Sequence, residues 1–399
     1  MKRPVALALA LIAVGLPHPR AAAASWEINP RVEAGYQYDD NYRLALPGNE
    51  IAVSGALADA QLELKTATPV IELSFTPRVR ATYFPNDDEE SSEDYFAGVQ
   101  LLQRGQTMQA TVRLDYAKED VVSSEQPGTD IDTGLGEPGV GEGGRVVVRN
   151  RRTLISFVPS LSHELAPRHD MTYELRYVDV GFDQEIPGVQ VGYSDAQGAV
   201  GWAFDFSQRS TLTTRARASR YEINEGDQRS DAYGLELELG SETTQTTRSF
   251  LRVGAQNTDF TRPNGDSANE TSWLAGAGVR WTAGLTEVFA DATRTVGPTS
   301  SGSVVERDQL RGRLNRAITP RFSLFTGLRG VRDEAVDAQS SFQGRRYAVA
   351  EVGMRWRLQQ QLSIGVTVDY TWQEFEVDPT DATSSGALLT LIYEPRRRD

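Results

Sequence analysis

The sequence predicts an all-β protein: a single up-and-down antiparallel transmembrane β-barrel of about 18 strands, with 16 as the alternative count. Three observations carry this. Leu362 to Gln373 (LSIGVTVDYTWQ) alternates apolar and polar residues without a break over twelve positions. The same alternation recurs along nearly the whole chain. The connections between alternating segments are short and long by turns, the pattern of membrane barrels with short periplasmic turns and longer outside loops. In Leu362–Gln373 one face carries Leu362, Ile364, Val366, Val368, Tyr370 and Trp372, and the other Ser363, Gly365, Thr367, Asp369, Thr371 and Gln373. Successive strand side chains point to opposite faces, so this strand is apolar on one side and wet on the other. At roughly 3.3 Å per residue it spans about 40 Å, and a tilt of about 40° leaves roughly 30 Å of rise, enough to cross an outer membrane.

The chain opens with a basic pair, Lys2 and Arg3, then an apolar run from Val5 to Leu16 and an Ala-rich stretch to Ala24. This reads as a secretory signal peptide over residues 1–24, cut before Ser25. Residues 25–394 are then the barrel, and 395–399 a short basic periplasmic tail. No later run of apolar residues is long enough for a transmembrane helix. The mean hydropathy of -0.42 fits a barrel that meets lipid with every second residue only.

Taken in order, the first strand starts near Arg31, with Val32, Ala34, Tyr36 and Tyr38 on one face. The next presents Ala56 to Leu64 on its even positions, and the third Ile71 to Tyr83 on its odd ones. Pro77 removes a ladder donor from this third strand, which predicts a bulge there. An acidic loop follows, then strands at Tyr95–Leu101 and Met108–Tyr116, then the longest irregular stretch, Glu119 to Gly144. Ile155–Leu161 returns to a turn around His163 to His169, and Met171–Tyr177 rises to a loop at Phe182–Gly192. Further strands run through Val200–Phe206, Leu212–Ala218, Tyr233–Leu239, Leu251–Ala255, Trp273–Trp281, Val288–Ala292, Leu310–Leu314, Phe322–Leu328 and Ala348–Leu358. The opening example and Ala387–Tyr393 complete the set. The faces are least clean at 145–161 and 286–296.

Charge is local. The net value of -14 becomes -17 when the signal peptide takes Lys2, Arg3 and Arg20 with it. Six acids crowd Asn86–Asp94 and seven lie in Glu119–Gly144, with no base in either segment. This balance disfavours nucleic acid as a partner. The chain has no Cys, so thiol catalysis and cysteine metal sites are absent, and strand pairing must supply stability without disulfides. His163 and His169, the histidines left after signal cleavage, fall at one short turn, and no nucleophile-elbow, zincin or phosphate-loop motif is present. The sequence calls for no catalytic residue, cofactor or metal ligand, and the chain reads as a non-enzyme.

The wet positions offer a candidate site instead. Arg78, Arg80, Arg113, Arg215, Arg217, Arg252, Arg280, Arg311, Arg313, Arg355, Arg357 and Asp369 are the candidates for lining the lumen, with a basic excess that would attract anions. The alternative is that these charges pair across strands and simply fill a wall. Glu125, Asp130, Asp132 and Glu137 of the long acidic stretch are candidates for a constriction loop, because a segment so much longer than a hairpin needs is functional or disordered.

The stretch Gly35–Ala45 (GYQYDDNYRLA) resembles the start of outer-membrane β-barrel porins associated with exopolysaccharide and exosortase loci, which carry an aromatic–Asp–Asp/Thr–Asp–Asn pattern at the top of their first strand. That resemblance covers about ten residues and implies a pore for polysaccharide passage or secretion, with polysaccharide or polysaccharide-secretion proteins as partners. A pore for small polar solutes, or a plugged structural or surface-interaction barrel, fits the rest of the chain. An outer-membrane location further implies contact with membrane lipid, lipopolysaccharide and the barrel-assembly machinery. Tyr393 would be the terminal aromatic used in assembly, although Glu394–Asp399 follows it.

Overall fold

Eighteen strands pair antiparallel in chain order, and the first closes on the last. The computed structural model describes residues 26–126, 146, 149–224, 228–262, 266–337, 339–340, 342–376 and 380–395. The signal-peptide reading and the residues past Pro395 lie outside these. The strands are β1 (Trp26–Asp39), β2 (Val53–Ala67), β3 (Ile71–Tyr83), β4 (Ser92–Arg104), β5 (Met108–Asp120), β6 (Arg151–Ala166), β7 (His169–Phe182), β8 (Tyr193–Ser207) and β9 (Ser210–Ile223). They continue as β10 (Arg229–Thr244), β11 (Thr247–Thr261), β12 (Ser267–Ala283), β13 (Thr286–Pro298), β14 (Val304–Thr319), β15 (Phe322–Ala335), β16 (Arg345–Arg357), β17 (Leu362–Phe375) and β18 (Ala382–Tyr393). A single helical turn, α1 (Val121–Glu125), follows β5.

Closure is direct: Val32 pairs with Tyr393 and Asp39 with Gly386 between β1 and β18. A closed cylinder has no free sheet edge, which is how an all-β chain satisfies every backbone donor without water. Eighteen strands about 4.8 Å apart and tilted by about 40° enclose a backbone cylinder roughly 36 Å across. One end carries turns of two to four residues and the other all the longer connections. The first strand begins at Trp26, five residues earlier than the sequence pattern suggested.

The predicted bulge at Pro77 does not occur. Gln61 pairs with Arg78 and Leu64 with Phe75, so the register runs straight past the proline. The ladder lapses for two pairs, and Pro77 stays opposite Ala97 on its other side. A missing donor costs one bond, and a cylinder held by two neighbours per strand keeps register without inserting a residue.

The outer face is apolar. Ile28, Val32, Tyr36, Leu175, Leu235, Leu251, Val253, Trp273, Val352 and Val368 are all exposed large hydrophobics. On β13–β17 its limit towards the long loops is sharp. Arg294, Asp308, Arg332, Arg346 and Glu374 stand opposite one another in one continuous charged row. The next outward row, Ala292, Leu310, Gly330, Ala348 and Trp372, carries no charge. From Trp372 down to Leu362 the outward positions of β17 are apolar, a band about 25 Å tall at a 40° tilt.

Most of the buried hydrophobic side chains gather inside the long-loop end. One cluster joins Val178, Val180, Tyr193, Tyr221, Phe260 and Val304. A second joins Leu44, from the β1–β2 connection, to Val331, Tyr347, Val349 and Ala382. Apart from Val304, the first residue of β14, these strand residues occupy inward positions, and the connections fold back over them.

Candidate functional site

The interior wall is built by every second residue of each strand, opposite in phase to the apolar outer face. Arg78 and Arg80 alternate with outward Val79 and share Asp59, at 2.6 and 3.2 Å. Both guanidiniums lie over the Phe96 ring, at 5.2 and 5.8 Å. Arg113 pairs with Asp115 on its own strand at 2.7 Å. Arg217 and Arg252 flank Glu236 at 2.9 and 3.6 Å. Arg280 reaches Glu287 at 3.6 Å. Arg311 and Asp291 form a two-point contact, with Nε to Oδ1 at 2.9 Å and Nη2 to Oδ2 at 2.5 Å. Arg313 spans from β14 to Glu351 on β16 at 3.6 Å, past the intervening β15, a contact that places both on the concave side.

Arg215, Arg355 and Arg357 make no ion pair with any described residue, and Asp369 has neither hydrogen bond nor ion pair among them. The first three sit in the half of the barrel near the short turns, and Asp369 near mid-strand on β17. Most of the wall charge is therefore neutralised strand to strand, and towards the short-turn end Arg215, Arg355 and Arg357 are left over together with two inward carboxylates, Glu174 and Glu238, that make no ion pair with a described residue.

The wall also carries rings. Arg280 and Arg311 stack on Phe289 at 5.5 and 5.4 Å, and Arg313 on Phe325 at 5.0 Å. A ring face beneath a guanidinium holds the cation by quadrupole attraction and leaves its edge free to donate. Phe250 faces Gly278, and Phe325 faces Gly353, each ring lying across a glycine of the adjoining strand. A methyl group at Gly353 would collide with the Phe325 ring, so only glycine admits it.

The long-loop end is narrowed from several sides. In the β1–β2 connection, Asn41 donates to the main-chain oxygens of Ala45 and Thr383, at 2.8 and 2.9 Å. Tyr42 packs edge-on against Phe84, with ring centroids 5.4 Å apart. Burial pushes the Tyr42 hydroxyl above its ordinary range, and the carboxylates of Asp120, Asp94, Glu90 and Asp39 add to the effect. The Asp183–Gly192 connection turns in as well, and the Val191 amide donates to Ser300 O at 2.8 Å. Arg262 and Asp337 clamp two connections together through two bonds of 3.1 and 2.7 Å. The Arg262 hydrogen bond holds the Asp337 carboxyl below the usual range.

α1 reaches furthest. Its N-cap is Asp120, whose side chain accepts from the Val122 amide at 2.8 Å. Asp120 is held in turn by its own amide donating to Asp94 Oδ1 at 2.9 Å. Val121 and Glu125 are wholly buried. Glu125 Oε2 accepts from Ser300 Oγ at 2.8 Å, and Arg345 Nη1 donates to Glu125 O at 3.5 Å. Ser300 follows β13 and Arg345 opens β16, which by the shorter way around the closed cylinder lie eight and seven strands from β5. The segment after β5 thus crosses the interior. Of the constriction candidates, Glu125 takes this position, and Asp130, Asp132 and Glu137 lie outside the described residues.

The residues that receive α1 escaped the sequence reading. Ser300, Arg307, Asp333 and Arg345 lie in or beside the connections between alternating segments, and no motif singles them out. A usable signal was present: Val121-Val122 breaks the alternation, and Val178 and Val180 put apolar residues on the supposedly wet face. The two histidines are not inside. His163 and His169 occupy outward positions, and His169 stacks on Phe204 and Trp202 at 5.0 and 5.8 Å. Among the described residues no group of three His, Cys, Asp or Glu side chains is placed to hold a metal ion.

No protein-family model matches the chain, and no curated protein matches it. Solved structures do. Pseudomonas aeruginosa OpdK with vanillate is 10% identical, with a TM-score of 0.46, over 92% of this chain and 98% of that one. Acinetobacter baumannii OccAB1 is 9% identical, with a TM-score of 0.47, over 93% and 97%. The ferric citrate transporter FecA in its unliganded form is 10% identical, with a TM-score of 0.48, over 91% and 63%.

Proposed function

We propose that this chain is an outer-membrane pore for small polar solutes, favouring anions. The observation that carries the reading is the contrast between the two faces of one closed sheet. Outside, an apolar band about 25 Å tall matches the hydrocarbon thickness such barrels span. Inside, the wall is charged and polar and mostly in contact with solvent at the short-turn end. Arg215, Arg355 and Arg357 stand there without an ion pair to any described residue, and open guanidiniums of this kind draw anions. The row Arg294–Asp308–Arg332–Arg346–Glu374 lies at headgroup level in this reading, where lipopolysaccharide would meet it. The signal-peptide pattern at residues 1–24 would deliver the chain across the inner membrane, and Tyr393, at the barrel seam, would be read by the assembly machinery.

Passage of polysaccharide rests on the resemblance at Gly35–Ala45. A polymer would need the inward connections at the long-loop end to withdraw, so small solutes fit the interior better. Those same connections favour one other reading, a plugged barrel that serves as a structural or surface-interaction protein. An enzymatic role has no support from the interior, because both histidines point outward. The test is reconstitution of the mature chain into planar bilayers under a KCl gradient. Discrete conductance steps with a reversal potential of anionic sign support the pore. Silent bilayers, from protein that still runs faster unheated than boiled on a gel, support the plugged barrel.

A further inference from the structure

The inner wall that receives α1 is basic. On the buried inner face of β13–β16, among the described residues, Arg307, Arg311, Arg329 and Arg345 stand with two carboxylates, Asp291 and Asp333. Asp333 is shared: Arg307 grips it through Nε at 2.6 Å and Nη2 at 2.9 Å, and Arg345 Nη2 approaches at 3.1 Å. The carboxylate that α1 delivers beside this wall is that of Glu125, against the hydroxyl of Ser300, itself 1% exposed. From the other side comes Arg152 on β6, near enough for its charge to attract that of Glu125. Arg152 uses Nη2 on Glu119 at 2.8 Å, but its Nε and Nη1 are buried without a partner, and its side chain is 8% exposed. Buried donors of this kind are costly unless something accepts from them.

We propose that the position of the Glu125 carboxylate is a binding site for a small carboxylate-bearing solute. Ser300 donates to the group held there, Arg152 offers it the unpartnered Nε and Nη1, and Arg345 adds positive charge from the far wall. Glu125 is the tethered occupant, and a free carboxylate competes with it and lifts α1 from the Ser300 hairpin. The occupant is displaceable because α1 has only five residues, far too short to be stable without its docking contacts. A tethered group competes at an effective concentration in the millimolar range, so the solute must act at millimolar levels or above. The consequence for conduction rests on the pore reading, and the binding does not.

The absence of cysteine allows a direct test. Val122→Cys places one thiol on α1, at a position 7% exposed, and its labelling by a charged maleimide in detergent reports release. Succinate at tens of millimolar should speed labelling by about fivefold or more, the size of an ordinary coupling between sites. Potassium chloride of equal ionic strength and glycerol of equal osmolarity should not. In the Glu125→Gln background labelling should already be fast without succinate, and conductance should rise. Unboiled gel mobility checks that each variant is folded. Labelling indifferent to succinate overturns the site, whether or not Glu125→Gln speeds it. Labelling that responds in a protein that never conducts keeps the site and removes the pore.

Discussion

Glycine at 353 exists for the ring opposite it. Phe325 lies over Gly353 and carries Arg313, which in turn reaches Glu351. Gly353→Val should therefore move the ring, unseat the guanidinium and cost about 1–3 kcal/mol, the usual penalty for overpacking. Urea unfolding of the folded barrel in detergent would read this as a lower midpoint with an unchanged slope. A second residue-scale expectation concerns acid. The Asp337 carboxyl is held below its ordinary range by Arg262, so its contribution to the clamp is present above the unfolded carboxyl pKa of about 4. It fades as pH falls through the lower folded value. Protease nicking within 336–344 should therefore accelerate only in acid below about pH 4, and Asp337→Asn should nick fast at neutral pH as well. Neither partnership was visible in the sequence, because Arg262 and Asp337 lie on connections whose approach depends on closure of the whole cylinder.

Strands were the legible elements. Their two faces meet different surroundings along most of their length, and that difference is written into alternate positions of β17, β12 and β16. The account fails at strand ends near the long loops, where both faces are apolar because the connections fold back inside, as at Val178 and Val180. It also failed at Pro77, since local sequence cannot say whether neighbours will hold the register. α1 was unreadable for a different reason. A five-residue helix has no period to detect, and its stability comes from what it docks against. The facing assignment is testable: Val366→Arg should cost roughly 2–4 kcal/mol near mid-band and Thr367→Arg much less. Equal losses in unfolding free energy at the two sites would mean the faces are exchanged. For α1, Asp120→Ala removes the N-cap bond to Val122 and should cost about 0.5–2 kcal/mol locally. Thiol labelling at Val122→Cys would then be faster without loss of the barrel's gel mobility.

At the scale of the molecule, one cylinder does two jobs. Its outer face is suited to hydrocarbon, and its interior grades from a solvated wall of both charge signs, partly unpaired, at the short turns to a packed zone at the long connections. Strand number and chain order were close to readable, since alternating turn lengths imply consecutive hairpins and an even count brings both ends to one side. How full the interior is was not readable, because that depends on contacts such as Glu125 to Ser300 between residues 175 apart in the chain. The central claim is that a conducting path runs through the cylinder and is throttled by α1. Single-channel recording of the wild-type chain beside Glu125→Gln, under the same KCl gradient, tests it most directly. The account predicts discrete steps in both, anion-selective reversal potentials in both, and a larger unitary conductance in Glu125→Gln. Steps of equal size in the two proteins, or no steps in either, would contradict it.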